Sequence, residues 1–295
     1  MKAKLISLFS ITLFLFSCNN NPDTTTTTTT TTPVTPAIPV INYAYITSYP
    51  HDTTSFTEGF LFHNGILFES TGATSGLPQT RSLFGTVDLL TGKIDVKAEL
   101  DKVKYFGEGI TFLDGKIFQL TYQTKIGFVY DAVSFKKIKD FTFPSKEGWG
   151  MTTDGKNLIM SDGTNAITYL DPNSLLAVKT ITVTENGYAR ENINELEYIN
   201  SYLYANIWTT NTIVKIDTAT GKVVGEMDLT SLADDSKNIF QGSMEMNGIA
   251  YDAASDKILV TGKMWPRIYE IKFNHLFFYC ASVSLWQNNF LRWMA

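Results

Sequence analysis

The most constraining feature of this 295-residue chain is a repeat along most of its length. Aspartates that end alternating apolar and polar runs recur at Asp88, Asp131, Asp171 and Asp217, in steps of 43, 40 and 46 residues. Each is followed by a turn and a further short run, and a period of this length is typical of a β-propeller with four strands per blade. The aspartates themselves are predicted to be turn residues whose carboxylates accept hydrogen bonds from nearby backbone amides.

A second marker keeps the same spacing and leads each time into an apolar strand. Its five copies are Glu58-Gly59, Glu108-Gly109, Gly148-Trp149-Gly150, Asn194-Glu195 and Asn247-Gly248. Five markers against four aspartate turns indicate that the last unit lacks its outer strand, and the strand-like run at 42–49 is available to supply it. The sequence therefore predicts an all-β fold over residues 42–273, a five-bladed β-propeller closed by an N-terminal strand that completes the last blade.

The first 18 residues have the features of a lipoprotein signal peptide. Lys2 and Lys4 precede an apolar run that is too short to span a bilayer, and Cys18 follows it. The position of Cys18 resembles a bacterial lipobox, which implies cleavage before this residue and its lipidation, although a cysteine near a signal cleavage site by chance is the alternative. We expect an exported protein that is lipid-anchored to the bacterial cell envelope, on its periplasmic or surface face.

Two further segments lie outside the predicted propeller. Residues 19–41 are rich in threonine and proline and are predicted to form a tether. Residues 274–295 form an atypical C-terminal tail that is rich in aromatic residues, contains Cys280 and continues no repeat. This tail is either an appended segment or the product of an altered reading frame, and composition does not separate the two.

Charge and residue counts exclude several classes of function. The formal net charge is −5, and removal of the leader makes it more negative, so nucleic acid is not expected as a partner. Cys18 and Cys280 are the two cysteines, which leaves an exported domain without an internal disulfide. His51, His63 and His275 are scattered without ligand spacing, so the sequence predicts no metal site.

Glu108 is the first candidate for chemistry, because it stands between two glycines and directly behind the aromatic pair Tyr105-Phe106. Flanking glycines leave a carboxylate uncrowded, so that it can face a cleft. Taken alone, the motif fits a solvated glutamate in a strand-entry turn equally well. Its repetition in the other markers favours the cleft.

The motifs of the whole range 42–273 resemble those of the plant and bacterial glutaminyl cyclases, or glutamine cyclotransferases, which are five-bladed propellers. The resembling motifs include Ser55-Phe56-Thr57-Glu58-Gly59, Tyr105-Phe106-Gly107-Glu108-Gly109, Gly148-Trp149-Gly150, Asn194-Glu195-Leu196-Glu197-Tyr198, Ala205-Asn206-Ile207-Trp208 and Thr261-Gly262-Lys263-Met264-Trp265-Pro266. The resemblance implies conversion of the N-terminal glutamine of a peptide into pyroglutamate, with release of ammonia.

The resemblance also implies roles for three polar residues. Glu108 matches the family's catalytic glutamate, which moves a proton from the attacking α-amine to the departing ammonia, and burial is expected to raise its pKa above about 4.3. Asn194 and Lys263 match pocket positions, and we expect them to stabilise the oxyanion that develops on the side-chain carbonyl.

The expected substrate-binding residues include four aromatic walls and two departures from the family pattern. The walls are Phe56, Phe106, Trp149 and Trp208, each of which taken alone could be a core residue. Glu58 stands where the family commonly has glutamine, and it adds a second carboxylate near Glu108 if both face the pocket. Tyr122 stands where plant members have tryptophan. Both departures bear on substrate preference more than on reaction type.

Two other functions remain open from the sequence, because a propeller scaffold alone does not fix function. The first is a non-catalytic cell-surface binding propeller, which would have no need for Glu108, Asn194 and Lys263 together. The second is a metal-dependent lactonase or dehydrogenase, which would need converging carboxylates or histidines that the sequence does not offer. No cofactor is expected for catalysis, and a structural cation in the central channel is an expectation from the family alone.

Overall fold

The computed structural model describes residues 37–275. The predicted lipidation site Cys18, the signal peptide and most of the tail therefore lie outside the described residues. Within them, five four-stranded antiparallel sheets form the five blades of a propeller. No helix in the described part of the chain is long and apolar enough to cross a bilayer.

The first three blades follow one another along the chain. Blade 1 contains β2 (Thr57–His63), β3 (Ile66–Thr71), β4 (Leu83–Val87) and β5 (Ile94–Glu99). Blade 2 contains β6 (Gly107–Leu113), β7 (Lys116–Thr121), β8 (Ile126–Asp131) and β9 (Lys137–Thr142). Blade 3 contains β10 (Met151–Thr153), β11 (Leu158–Ser161), β12 (Ala166–Leu170) and β13 (Ala177–Thr182).

The last two blades carry the additions to the repeat. Blade 4 contains β16 (Ile193–Ile199), β17 (Tyr202–Ile207), β18 (Thr212–Asp217) and β19 (Val223–Asp228). Blade 5 contains β20 (Met246–Asp252), β21 (Lys257–Gly262), β22 (Arg267–Phe273) and β1 (Tyr43–Pro50). The hairpin of β14 (Thr184–Glu185) and β15 (Tyr188–Ala189) precedes blade 4, and helix α1 (Thr230–Ile239) precedes blade 5; neither was predicted from the repeat.

Blade 5 contains strands from both ends of the described range. Strand β1 is its outermost strand and pairs antiparallel with β22, from Tyr43 opposite Phe273 to Pro50 opposite Arg267. The first and last strands of the propeller therefore belong to one sheet, and the edge of β22 is hydrogen-bonded instead of open to solvent.

The four repeated aspartates have the turn role that was predicted. Asp88, Asp131, Asp171 and Asp217 each accept backbone N–H bonds from residues two or three positions later, such as Leu90 at 2.9 Å. These bonds close the connection between the third and the outer strand of blades 1 to 4. The aspartates therefore recur because the same hydrogen-bonded turn recurs in four blades.

Burial falls from the inner to the outer strand of a blade. In β6, six of the seven residues are buried, whereas β9 is mostly exposed. Apolar side chains from adjacent blades meet between the sheets. The cluster between blades 4 and 5 includes Tyr204, Trp265 and Tyr269, each of which is at most 1% exposed. Trp265, the fifth residue of the motif at 261–266, is therefore a core residue.

Residues at both ends of the described range contact the propeller. The backbone amide of Ile41 donates to Glu226 of β19 at 2.7 Å, and Pro39 accepts from the Glu226 amide at 3.0 Å. At the other end, His275 bonds to Asp256 at 2.8 Å and to Asn200 at 2.9 Å. The propeller therefore forms hydrogen bonds with residues on both sides of 42–273.

A buried ion pair joins blade 5 to blade 1. The ring of His51, just after β1, lies 3.0 Å from the Glu69 carboxylate of β3 and 2.8 Å from the backbone oxygen of Trp265. Burial acts against the charge on His51, but Glu69 more than compensates and raises the pKa of the ring. His51 looked like an isolated histidine in the sequence, and the structure places it at the closure of the ring.

Candidate active site

β-Bulges aim the candidate site residues. The inner strands of blades 1, 2, 4 and 5 all have a register shift at the marker position, whereas β10 of blade 3 begins after it. A bulge bends the strand and redirects one side chain. The polar side chains at these four bulges are Glu58, Glu108, Asn194, Glu195 and Asn247, all of them buried.

Glycines at the markers let the inner strands approach one another. A Cβ atom at Gly59 would lie 2.9 Å from the backbone nitrogen of Ile110, and one at Gly109 would overlap the backbone of Gly150 and Met151. The amide of Gly109 also donates to the Trp149 carbonyl at 2.8 Å. Glycine is therefore required by close approach, and blades 1, 2 and 3 bring their marker residues to one place.

Glu195 stands in blade 4 where blades 1 and 2 have Gly59 and Gly109, and it links three blades. Its two oxygens accept the amides of Phe60 in blade 1 at 3.2 Å and of Ile249 in blade 5 at 2.9 Å. Burial, with the neighbouring Glu197, raises the pKa of Glu195 well above its ordinary value. These bonds hold the inner strands together at the level of the site.

Two carboxyl groups and one ammonium form the polar centre of the site. The Nζ atom of Lys263 lies 2.8 Å from Oε1 of Glu58, and both side chains are more than nine-tenths buried. Asn247 donates its Nδ2 to the other oxygen of Glu58 at 2.9 Å. Glu108 is 4% exposed. It lies close enough to Glu58 and Lys263 for the charges of both to act on its ionisation.

Burial sets the ionisation of this centre. Desolvation raises the pKa of Glu108 well above its usual value, and the charge of Glu58 raises it further, against the opposing effect of Lys263. Desolvation also raises the pKa of Glu58, to about 7, although Lys263 acts against it. The pKa of Lys263 is raised, because the two carboxylates outweigh the cost of burying its charge. The lysine stays charged and the carboxyls compete for protons.

Two groups of aromatic rings lie at the same end of the blades, and the first group contacts the polar centre. Phe56 packs edge-on against Phe106, with ring centroids 5.8 Å apart, and Phe106 packs against Tyr122 at 5.9 Å. The ammonium of Lys263 lies 4.6 Å from the centre of the Phe56 ring, a cation–π contact. In the second group, Trp149 and Trp208 meet edge-on at 5.5 Å. Trp208 is 39% exposed and lies at the rim.

Several buried polar atoms of the site have no hydrogen-bond partner among the described residues. They are Oδ1 of Asn194, Nδ2 of Asn206 and Oδ1 of Asn247. The orientation of the other two amides is fixed, since Asn206 accepts the Gly248 amide and Asn247 donates to Thr57 and Glu58. Unpaired buried groups of this kind are costly and concentrate at functional sites.

The structure thus brings the predicted site residues of all five blades to one end of the inner strands. Sequence reasoning missed Asn206, Asn247 and the bridging role of Glu195. The signal for Asn247 was available, because it precedes a glycine at the same marker position as Glu58 and Glu108. Nothing comparable identified Asn206, whose place depends on its bond to the next blade.

Comparisons with known proteins agree with this architecture and these motifs. Residues 16–273 match the model of a protein family described as glutamine cyclotransferase. The chain belongs to the glutamine cyclotransferase family. It is 39% identical over 229 residues to a glutaminyl-peptide cyclotransferase of Arabidopsis thaliana, an alignment that covers 77% of this chain and 70% of the relative.

A solved glutaminyl cyclase has the same fold. The crystal structure of the Myxococcus xanthus enzyme superposes with a TM-score of 0.72 and 31% sequence identity, covering 80% of this chain and 98% of that one. In this family member, three charged residues of the site are buried: Glu58, Glu108 and Lys263. The two glutamates lie at bulges and Lys263 lies in the turn after β21, and the propeller brings these segments together.

Within residues 37–275, no three side chains of the metal-binding types His, Cys, Asp and Glu converge as metal ligands. The carboxylate oxygens of Glu195, which span the inner strands, already accept backbone amides.

Proposed function

We propose that this protein converts the N-terminal glutamine of peptides and proteins into pyroglutamate, with release of ammonia, and that Glu108 is its general acid and base. One observation carries the proposal. In a chain that belongs to the glutamine cyclotransferase family, Glu108 is a buried carboxyl of raised pKa beside the charged Lys263. That environment tunes a carboxyl for proton transfer near neutral pH.

The reaction is intramolecular. The α-amine attacks the side-chain carbonyl carbon of the same glutamine, so a carbon–nitrogen bond forms to the amine and the bond to the carboxamide nitrogen breaks. Glu108 takes a proton from the attacking nitrogen and returns it to the departing one, which leaves as ammonia. Because both reacting groups belong to one residue, the enzyme needs chiefly to hold the folded conformer, and such reactions reach effective molarities of roughly 10⁵ M.

Lys263 and Asn194 stabilise the developing charge in this proposal. The ammonium of Lys263 and the side-chain N–H of Asn194 are the donors for the oxyanion on the carbonyl oxygen. The Oδ1 atom of Asn194, unpartnered among the described residues, can accept a hydrogen bond from the carboxamide nitrogen. The aromatic residues around the centre exclude water and hold the aliphatic part of the glutamine side chain.

We propose that catalysis needs no metal and that the protein is anchored by lipid at Cys18. The first proposal rests on the intramolecular chemistry, for which a carboxyl and two donors suffice. The second rests on the sequence before and at Cys18, and it is tested by metabolic labelling with palmitate. Label should enter the normal protein and not the Cys18→Ala variant, and label in both would contradict anchoring at this residue.

The proposed activity is tested by ammonia release from a short peptide with N-terminal glutamine, in the presence of a metal chelator. We expect turnover by the purified protein and a rate lower by about 10² to 10⁴ in Glu108→Gln. Glu197→Gln is a matched control, because Glu197 is a buried glutamate that bonds to the Tyr251 amide and has no assigned role in the reaction. No turnover by the folded normal protein would refute the proposal, and turnover that the chelator abolishes would refute metal independence.

A further inference from the structure

Glu58 and Lys263 form a buried ion pair inside the candidate site. The Nζ–Oε1 distance is 2.8 Å, and the side chains are 7% and 3% exposed for Lys263 and Glu58. Within residues 37–275, no ion pair of 4 Å or less joins Lys263 to Glu108. The ammonium is therefore directed to the carboxylate of blade 1 and not to the proposed catalytic carboxyl of blade 2.

The orientation of Glu58 is fixed from its other side. Asn247 donates Nδ2 both to Oε2 of Glu58 and to the backbone oxygen of Thr57, at 2.9 and 3.0 Å. A glutamine at position 58 could still accept one of these bonds. Its second terminal atom would be an NH₂ group facing the Lys263 ammonium, two donors in contact, so Lys263 would turn to another acceptor.

The charged groups around Glu108 come from four other segments. Glu58 lies on β2, Lys263 follows β21, and Glu147 precedes β10 and acts on Glu108 more weakly. Glu245 precedes β20 and acts on Glu58 and Lys263, while the phenol of Tyr122 follows β7 and is neutral. The inner strands that carry the two carboxyls lie side by side, because a Cβ atom at Gly59 would lie 3.1 Å from the Cα atom of Gly109. Two buried carboxyls therefore lie near one ammonium, and like charges in an enclosed site prevent both from ionising readily.

We propose that Glu58 is a positioning residue that sets the pH range of catalysis: by holding Lys263 and adding a like charge, it keeps Glu108 protonated to a higher pH. This inference rests on the proposed function, in which Glu108 must be ionised to accept a proton from the amine. It reassigns Glu58 from substrate binding to control of Glu108. The raised pKa values of both carboxyls agree with it.

Replacement of Glu58 by glutamine acts on Glu108 in two ways with the same sign. It removes a like charge, and it releases the ammonium of Lys263 for Glu108. Both changes favour the ionised carboxylate, so the acid limb of the kcat/KM profile should move to lower pH by about one unit or more in Glu58→Gln. The variant should fold, because glutamine has the same shape and matches the residue common in the family.

The test measures kcat/KM against pH for the normal protein, Glu58→Gln and Glu197→Gln. The titration of Glu108 is followed in the same proteins by carbon-13 NMR of labelled glutamate carboxyls, with Glu108→Gln used for assignment. We expect the acid limb and the Glu108 titration to move down together in Glu58→Gln, and neither to move in Glu197→Gln. Glu197 is buried too, but it is not among the groups that act on Glu108.

Two results would overturn the inference. One is an unchanged acid limb and an unchanged Glu108 titration in an active Glu58→Gln protein. The other is an equal shift in Glu197→Gln, which would mean that loss of any buried carboxyl suffices. Failure of the proposed function is distinguishable, since a normal protein that forms no pyroglutamate at any pH still has a Glu108 titration, and NMR then decides the role of Glu58.

Discussion

Two buried acid–base pairs lie near the junction of blades 5 and 1, and they differ in whether an unbonded carboxyl lies beside them. His51 and Glu69 are 3.0 Å apart, and Lys263 and Glu58 are 2.8 Å apart. The first pair is a closed network, because His51 also bonds to the Trp265 carbonyl and Glu69 accepts the Thr57 hydroxyl. Such a network is expected to stabilise the fold.

The second pair has a third member with no bond of its own. Within residues 37–275, Glu108 shares the charge field of Glu58 and Lys263, but no donor bonds to its carboxyl. A carboxyl held in this way is free to exchange a proton with a ligand. Burial alone therefore does not distinguish the two pairs, whereas the unbonded carboxyl beside the second pair does.

The largest expected effect on stability is that of Glu69→Gln, which removes one partner of the closed pair. Breaking a buried ion pair typically costs about 3–5 kcal/mol, since the other charge is left without a partner. We expect the free energy of unfolding to fall by that order in urea denaturation, with kcat changed less than tenfold at a temperature where the variant is folded. A rate loss comparable to that of Glu108→Gln, without loss of stability, would show that the comparison assigns the pairs wrongly.

The same comparison between a structural and a site position can be made for two tryptophans, the buried Trp265 and the exposed Trp208. Trp265→Ala should cost about 3–5 kcal/mol of unfolding free energy, because it empties a fully buried position and leaves the Met244 carbonyl without its donor. Trp208→Ala should change stability by less than about 1 kcal/mol and raise KM roughly tenfold, because this rim ring is 39% exposed in the free protein. Denaturation curves and KM values of both variants check this. Equal effects on KM would contradict a distinction between core and rim.

The pH dependence of stability is the last effect, because it is spread over several units of pH. The pKa values of about 7 for Glu58 and about 8 for Glu197 exceed the ordinary value of a glutamate, so the folded state binds more protons than the unfolded state between about pH 4.5 and 8. Stability should therefore fall as pH rises through this window, by roughly 1 kcal/mol per unit for each group.

His51 changes stability in the same direction. The pKa of His51 is raised in the folded state, so its contribution is complete below about pH 6.5 and is lost as pH rises through the raised value. Unfolding free energies measured from pH 5 to 8 should decrease, and Glu197→Gln should flatten the slope. A stability that increases over this range would contradict the direction assigned to these groups.

Much of the fold was predictable because it repeats. The turns at Asp88, Asp131, Asp171 and Asp217 depend on bonds to residues two or three positions away, so the local sequence contains the whole interaction. The marker glycines were visible for the same reason, although their purpose, close approach between blades, became clear from the structure.

The site was predictable in its residue types and less so in its partners. Glu58 bonds to Asn247 across 189 positions, and Thr261 meets His51 across 210, so no spacing in the sequence announces either contact. Helix α1 was also missed, because it interrupts the repeat once and buries little more than Leu232 and Ser236. Its role in packing depends on Tyr269, whose hydroxyl bonds to Ser236 at 2.9 Å.

In the proposed reaction the α-amine of glutamine, and not water, attacks the side-chain carbonyl. The most direct measurement uses a peptide whose N-terminal glutamine carries nitrogen-15 in the side-chain amide alone, followed by mass spectrometry of the peptide and the ammonia. We expect labelled ammonia and a peptide whose N-terminal residue is pyroglutamate, with both products suppressed in Glu108→Gln. A peptide whose N-terminal residue is glutamate, formed by attack of water, would contradict this mechanism.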